Sequence, residues 1–358
     1  MKKNILISTG GSGGHVIPAL VFYEHLQTNF NVFLSTDDRG TKFLNLEKKK
    51  IKIINTPKLS DNYFLLPINL FLIFLLFIKS LLFLKKNDTD ILVSTGGYMS
   101  LPLCLAAKIL KIKIYLFEPN MIIGRANSFF LKYCEKIFCY SKEIKRFPKV
   151  YLNKIIEIKP LLRKEFYSFE SHEVKKIDNQ IHLLIIGGSQ GAKLFDSSIN
   201  NTIIELSKSY KLKVFHQTSF LNYKNLKIFY NQNNIENQIF DFDVDILKYI
   251  NKANLCITRA GASTLAELTF LNIPYLAIPF LLAKDNHQYE NALFYNNKNC
   301  CWIIKEDELN EDNLTKKIMY IINNKEDYLA KKNSMKNFSY QNTWNKINQK
   351  LIDIFNEN

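Results

Sequence analysis

Histidine is the side chain that most readily takes up a proton near neutral pH. His15 closes the run "STGGSGGH", which holds four glycines in five positions. Glycine lets a backbone turn tightly and approach a ligand closely. A helix expected from Val16 would present unpaired N–H groups and its positive dipole end, a setting for a phosphate or a reacting oxyanion. The run is neither GxGxxG nor a Walker loop, because no Lys-Ser/Thr follows it. The residues alone leave His15 with two readings: a general base, or a helix-start residue bonded to the backbone.

Four further runs carry chemistry. In "IIGGSQGA", Ser189 and Gln190 add side-chain donors, and the amides through Gly191 suit a diphosphate. A tight turn without a ligand is the plainer reading. In "TRAGASTLAEL" a helix starting near Thr264 gives Glu267 two roles: the acid of a capping box, or the acceptor of a vicinal diol such as ribose. In "AKDNHQYENA", His287, Gln288 and Asn291 open a helix with groups suited to sugar hydroxyls, or simply lie on an exposed helix. "STGGYMSLP" and "FEPNMIIGRAN" bring Tyr98, Glu118 and Asn120 to strand carboxyl ends, where open α/β sheets bind ligands.

Strands must position these loops. Apolar runs suited to strands are "NILIS", "NVFLS", "IKIIN", "DILVS", "IKIYLF" and "KIFCY", then "IHLLIIG", "LKVFHQ", "ANLCIT", "IPYLAIPF" and "CCWII". Helical stretches separate most of them, which is the α/β pattern of a parallel sheet. The pattern occurs twice, each time with a glycine-rich strand-to-helix turn. Two doubly wound domains account for it, and 358 residues is an ordinary length for two. The expected division is residues 1–162, residues 163–340, and a terminal amphipathic helix over residues 341–358 that packs back on the first domain.

Lys and Arg number 48 against 33 Asp and Glu, a formal charge of +15 that suggests an anionic partner or else a drift in composition toward Lys, Asn and Ile. The lysines are scattered rather than interleaved with aromatics, which argues against nucleic acid. The six cysteines form no CxxC and no zinc spacing, so they read as buried thiols in a reducing compartment. The chain enters a strand at once, with no signal peptide ahead of it. From Leu65 to Leu84 the sequence is nearly continuous apolar residues, with Lys79, Lys85 and Lys86 within or beside it. A membrane span would separate strands that one sheet needs together, and a wholly buried helix is a second possibility. The favoured reading is a surface helix that dips into one leaflet while its lysines meet anionic head groups.

Taken in order, these motifs resemble the MurG family of bacterial N-acetylglucosaminyltransferases. The likeness runs through "STGGSGGH", "RGTKF", "STGGYMSLP", "EPN", "GGSQGA", "TRAGASTLAEL", "IPF" and "DNHQYENA", nearly the whole chain. The resemblance implies a GT-B fold, two Rossmann-like doubly wound domains facing a cleft. It also implies inverting transfer of GlcNAc from UDP-GlcNAc to the MurNAc 4-hydroxyl of lipid I, giving lipid II, at the cytoplasmic face of the bacterial plasma membrane. A related transferase acting on another membrane lipid, such as diacylglycerol, is the alternative. His15 and Glu118 fall at the catalytic positions, with Gly14, His15 and Tyr98 toward the acceptor. The donor positions are Ser12, Gly13, Gly14 and Asn120 in the first domain, then Arg163, Ser189, Gln190, Gly191, Asp243, Ala262, Glu267, His287 and Gln288. Neither a metal nor another cofactor is called for. The sequence departs from the family pattern at Pro119, Ser219 and Asp243, and carries one extra residue before Arg163.

Overall fold

The computed structural model describes residues 2–44, 51–57, 66–169, 177, 180–188, 194–241, 243 and 245–357. The chain divides into two compact units, Met1–Tyr167 with Asn342–Asn358, and Ser168–Gln341.

The first unit is built on β1 (Asn4–Ser8), β2 (Asn31–Thr36), β3 (Ile51–Ile53), β4 (Ile91–Ser94), β5 (Lys113–Glu118), β6 (Lys136–Cys139) and β7 (Ile155–Glu157). Their order in the sheet is β3-β2-β1-β4-β5-β6-β7, and every pairing is parallel. The central strands read as unbroken apolar runs because helices cover both faces of such a sheet. Ile5, Leu6, Ile7, Leu92, Val93 and Leu116 are all buried. The strand order reverses between β1 and β4, and ligands of doubly wound sheets bind beyond the strand ends at that point.

The terminal helix Trp344–Asn356 closes this unit. Its N-cap Thr343 accepts from the Lys346 amide at 3.3 Å. Its far end drives Phe355, fully buried, against Phe138 (centroids 5.9 Å apart) and edge-on to Tyr115 (5.2 Å). Near its start Trp344 stacks on His25 at 3.7 Å, and Asn348 meets His25 Nδ1 at 3.2 Å.

Helix Leu66–Lys86 is the crossover from β3 to β4, so both its ends feed one sheet. It is long and apolar enough to cross a membrane by length and composition. One side packs inward: Ile73 and Leu84 are buried, and Leu84 joins the core of the unit. The other side exposes Ile68, Leu70, Phe71, Phe74 and Leu82, so the wholly buried alternative does not hold. Leu65 lies outside the described residues.

The second unit repeats the plan. Its strands are β8 (Gln180–Ile186), β9 (Lys211–Gln217), β10 (Glu236–Phe240), β11 (Leu255–Thr258), β12 (Tyr275–Ala277) and β13 (Trp302–Ile303). They run β10-β9-β8-β11-β12-β13, again all parallel, with the reversal between β8 and β11. Its core gathers Leu183, Ile185, Val214, Ile257, Leu276 and Ile318. Two strands, β7 and β10, are absent from the apolar runs of the sequence. Each lies at a sheet edge and pairs on one side only. β10 buries only Ile239 and Phe240 of its five residues, so it carries little of the apolar signal that marks an inner strand.

Candidate active site

In the first unit the glycine-rich run leaves β1 at the switch point. A side chain at Gly10 would place its Cβ 2.1 Å from Met99 Sδ, and Gly11 has φ +80°, so these two positions demand glycine. The helix begins at Gly13 rather than Val16, with extended Ser12 as N-cap. Gly13, Gly14 and His15 therefore form its first turn. The glycines disguised that start, since glycine is a poor helix former.

His15 does bond to backbone, but not within its own helix. Its Nδ1 lies 2.7 Å from the carbonyl oxygen of Thr95, at the end of β4. A carbonyl only accepts, so Nδ1 carries the proton and neutral His15 keeps its lone pair on Nε2. Thr95 is fixed in turn by its amide to Ser8 O (3.0 Å) and its hydroxyl to Thr9 Oγ1 (2.9 Å). Tyr98, 37% exposed, follows in the same turn.

Beneath the loop sits Asp37, a residue the sequence reading did not single out. It accepts from the amides of Gly11 (2.8 Å) and Gly40 (2.9 Å), and from Arg39 Nε and Nη2 (2.8 and 2.6 Å). Burial alone would raise its pKa, yet these donors together hold the carboxyl below its usual range. Its position 26 residues from Gly11 leaves no local sequence signal.

Glu118 ends β5 and is 2% exposed. Its Oε1 accepts from the amide and side chain of Asn120 (3.2 and 3.0 Å), and its Oε2 from the Gly124 amide and Asn127 Nδ2 (2.8 and 3.0 Å). The carboxylate thus gathers the 118–127 loop and orients Asn120 within it.

In the second unit the helix Ala262–Phe270 starts from N-cap Gly261, not near Thr264. Thr264 is itself the third helical residue, so Glu267 completes no capping box. It lies in the second turn, 8% exposed. Gln288 and Asn291, on helix His287–Asn297, reach across to the end of β11. Gln288 Oε1 accepts from the amides of Ala260 (3.1 Å) and Phe280 (3.0 Å), and Asn291 Nδ2 donates to Ala260 O (3.1 Å). His287 Nδ1 bonds Lys284 O at 2.8 Å. The structure therefore brings Ala262, His287, Gln288 and Asn291 to the ends of β11 and β12. Among the described residues, the buried hydroxyls of Thr218, Ser219 and Ser263 have no hydrogen-bond partner.

Asp243 follows β10, where its carboxylate accepts from the Asp245 amide (2.9 Å) and Tyr249 hydroxyl (3.3 Å) and pairs with Lys248. Arg163 falls in the first unit, its guanidinium over the Phe166 ring (4.8 Å) and 3.4 Å from Glu165. Ser189, Gln190 and Gly191 lie outside the described residues, although Gly187, just before them, donates its amide to Gln217 Oε1 at 3.0 Å. Among the described residues no group of three or more His, Cys, Asp or Glu side chains could hold a metal ion.

Two doubly wound units, each with polar loops at its switch point, define an α/β protein of the class in which ligands bind beyond the strand ends. Residues 5–139 match the glycosyltransferase family 28 N-terminal domain, and residues 182–347 match the family 28 C-terminal domain. A Pelagibacter ubique (strain HTCC1062) protein named UDP-N-acetylglucosamine--N-acetylmuramyl-(pentapeptide) pyrophosphoryl-undecaprenol N-acetylglucosamine transferase is 55% identical over 359 residues, 100% of both chains. A Rickettsia felis protein of the same name is 34% identical, over 90% of this chain and 92% of its own. The crystal structure of Acinetobacter baumannii MurG shares the fold, with a TM-score of 0.78 at 23% identity over 98% of each chain. This chain belongs to glycosyltransferase family 28, among its MurG members.

Proposed function

We infer that this chain moves GlcNAc from UDP-GlcNAc to the MurNAc 4-hydroxyl of lipid I, forming lipid II. The observation that carries the reading is 55% identity along the entire chain to a transferase of that name. In the reaction the acceptor oxygen bonds the anomeric carbon from the face opposite UDP, and the bond to UDP breaks with its electron pair left on the diphosphate. His15 Nε2, the lone-pair nitrogen, takes the acceptor proton. The hydrogen bond to Thr95 O supports that role by fixing the tautomer and aiming the ring. Gly14 and Tyr98 line the acceptor side.

Glu118 acts by positioning. Its oxygens already serve four donors of the 118–127 loop, two of them from Asn120, and Asn120 is assigned to donor binding with Ser12 and Gly13. In the second unit Glu267 takes the ribose diol, and Ala262, His287 and Gln288 face the sugar. Backbone near Asp243 reads the base, and the amides at Ser189, Gln190 and Gly191 hold the diphosphate, with Arg163 near the nucleotide. Preorganised amides stabilise the charge that develops on the leaving group without waiting for solvent. The unpartnered hydroxyls of Thr218, Ser219 and Ser263 support a polar ligand at these strand ends.

The exposed face of helix Leu66–Lys86 meets the membrane that carries the acceptor. Its apolar side chains enter the leaflet, and Lys79, Lys85 and Lys86, all exposed, face anionic head groups. Radiolabelled UDP-GlcNAc supplied with lipid I in detergent tests the reaction. Label is expected in lipid II and not in diacylglycerol offered alongside. Label in diacylglycerol alone would replace lipid I as the acceptor.

A further inference from the structure

The turn between β12 and helix His287–Asn297 contains no strand and only the short 3-10 turn Lys284–Asn286. Ile278 and Ala283 are buried at its two ends, while Leu281 and Leu282 between them expose 55% and 79% of their surface, so the middle of the turn is not seated by apolar packing. Asp285 and Asn286 both adopt left-handed backbone, with φ +56° and +60°, directly before His287. Asp and Asn adopt such backbone more readily than other non-glycine residues, and the Asn286 amide donates to Ala283 O at 2.8 Å. Polar side chains from adjacent strand ends hold residues 278–281.

At three points the turn is tied down. Ile278 O accepts from Arg259 Nη1 (3.2 Å), the Phe280 amide donates to Gln288 Oε1 (3.0 Å), and the Leu281 amide donates to Glu306 Oε2 (2.6 Å). Arg259, after β11, and Glu306, after β13, are joined by two bonds of 2.9 and 3.1 Å. The Arg259 guanidinium is also within 5.1 Å of the Phe195 ring and 5.2 Å of the Phe280 ring. Arg259 is 7% exposed, so its charge needs a fixed counterion. Gln288 has one oxygen, and two backbone amides occupy it, so only its Nε2 remains to donate to a ligand. The direction of that donor depends on where the Phe280 and Ala260 amides stand. Glu306 sets both neighbours: it grips Leu281 directly and holds the Arg259 side chain one residue before Ala260.

We propose that Glu306 is a positioning residue for the sugar end of the donor, acting through Arg259 and the 278–281 turn to aim Gln288. This rests on the donor reading given above. The full-length chain is titrated calorimetrically with UDP-GlcNAc and with UDP, which lacks the sugar, as wild type, Glu306→Gln and Glu306→Asp. Glu306→Gln is expected to raise the Kd for UDP-GlcNAc about tenfold while that for UDP moves less than about twofold. Glu306→Asp, which keeps the charge on a shorter stem, is expected to raise it about threefold. Equal weakening of both ligands, or of neither, overturns the proposal and leaves the pair a role in folding alone. Should Glu306→Gln fail to fold, the same comparison is read on Glu306→Asp, where an unchanged ratio of the two affinities overturns it. A wild-type chain that binds UDP but gains nothing from the sugar would overturn the donor reading instead.

Discussion

In the proposed reaction the smallest feature on which the chemistry turns is the lone pair of one imidazole nitrogen. His15→Ala is expected to lower kcat by about 100-fold or more with UDP-GlcNAc affinity retained, since general-base catalysis has that size. Single-turnover transfer together with calorimetric donor titration reads the two apart, and near-normal turnover would exclude His15 as base. Glu118→Gln should behave differently. It loses an anionic acceptor for the Asn120 and Gly124 amides, so kcat falls while the shape of the kcat–pH profile is kept. Loss of the acid limb of that profile would make Glu118 the base. His15 stands out in the sequence for its glycine-rich setting and Glu118 for its place at a strand's carboxyl end. The contacts that fix the glycine-rich loop have no local signal: Thr95 is 80 residues from His15, and Asp37 is 26 from Gly11. The two helix starts were misplaced for a local reason. Gly13 and Gly261 look like loop, and only the observed geometry makes one a first-turn residue and the other an N-cap.

Among the elements, helix Leu66–Lys86 combines a buried seam with an outward apolar face. Leu70, Phe71 and Phe74 expose 53%, 61% and 55%. Replacing all three with Ser should change folding stability little, because surface substitutions shift it by about 0.5 kcal/mol or less each. Vesicle binding should fall at least about tenfold, given roughly 1.5–3 kcal/mol for each large apolar side chain fully withdrawn from water. Co-sedimentation with vesicles containing anionic lipid checks this, and unchanged binding would remove the helix from the membrane contact. The segment was legible as a helix from its length and composition. Which residues face out was not, because a run apolar all round has no polar stripe to mark its orientation. The inner strands announced themselves by continuous Val, Ile and Leu, whereas β7 and β10 did not. A strand paired on one side has less need of apolar residues.

For the molecule as a whole, acid sensitivity follows from buried histidine. Burial pushes His25 from 6.5 down to about 4, the hydrogen bond to Asn348 offsetting only part of it. The folded first unit therefore favours neutral His25. Its contribution is complete above about pH 6.5 and is lost as pH falls toward 4, by about 2 kcal/mol at pH 5. Thermal melts at pH 7 and pH 5 should show the loss, and His25→Gln should reduce it. His216, fully buried in the second unit and pushed to about 3, shifts with the same sign. Phe355→Ala should cost about 3–5 kcal/mol, the range for truncating a buried aromatic, and urea denaturation of the first unit measures it. That two sheets and their strand-end loops would form was readable from the repeated pattern. How the last helix is gripped, through His25, Tyr115 and Phe138, was not, since nothing local links them. The grip also orders events during synthesis. The ribosome releases residues up to Tyr167 early, but Phe355 emerges only after Ser168–Gln341 has been made. At about 5–20 residues per second that interval is roughly 10–35 s. For that time Tyr115 and Phe138 lack the Phe355 ring they pack against in the finished unit. The second unit, continuous in sequence, is free to finish first, so the half that starts the chain is the last to be sealed.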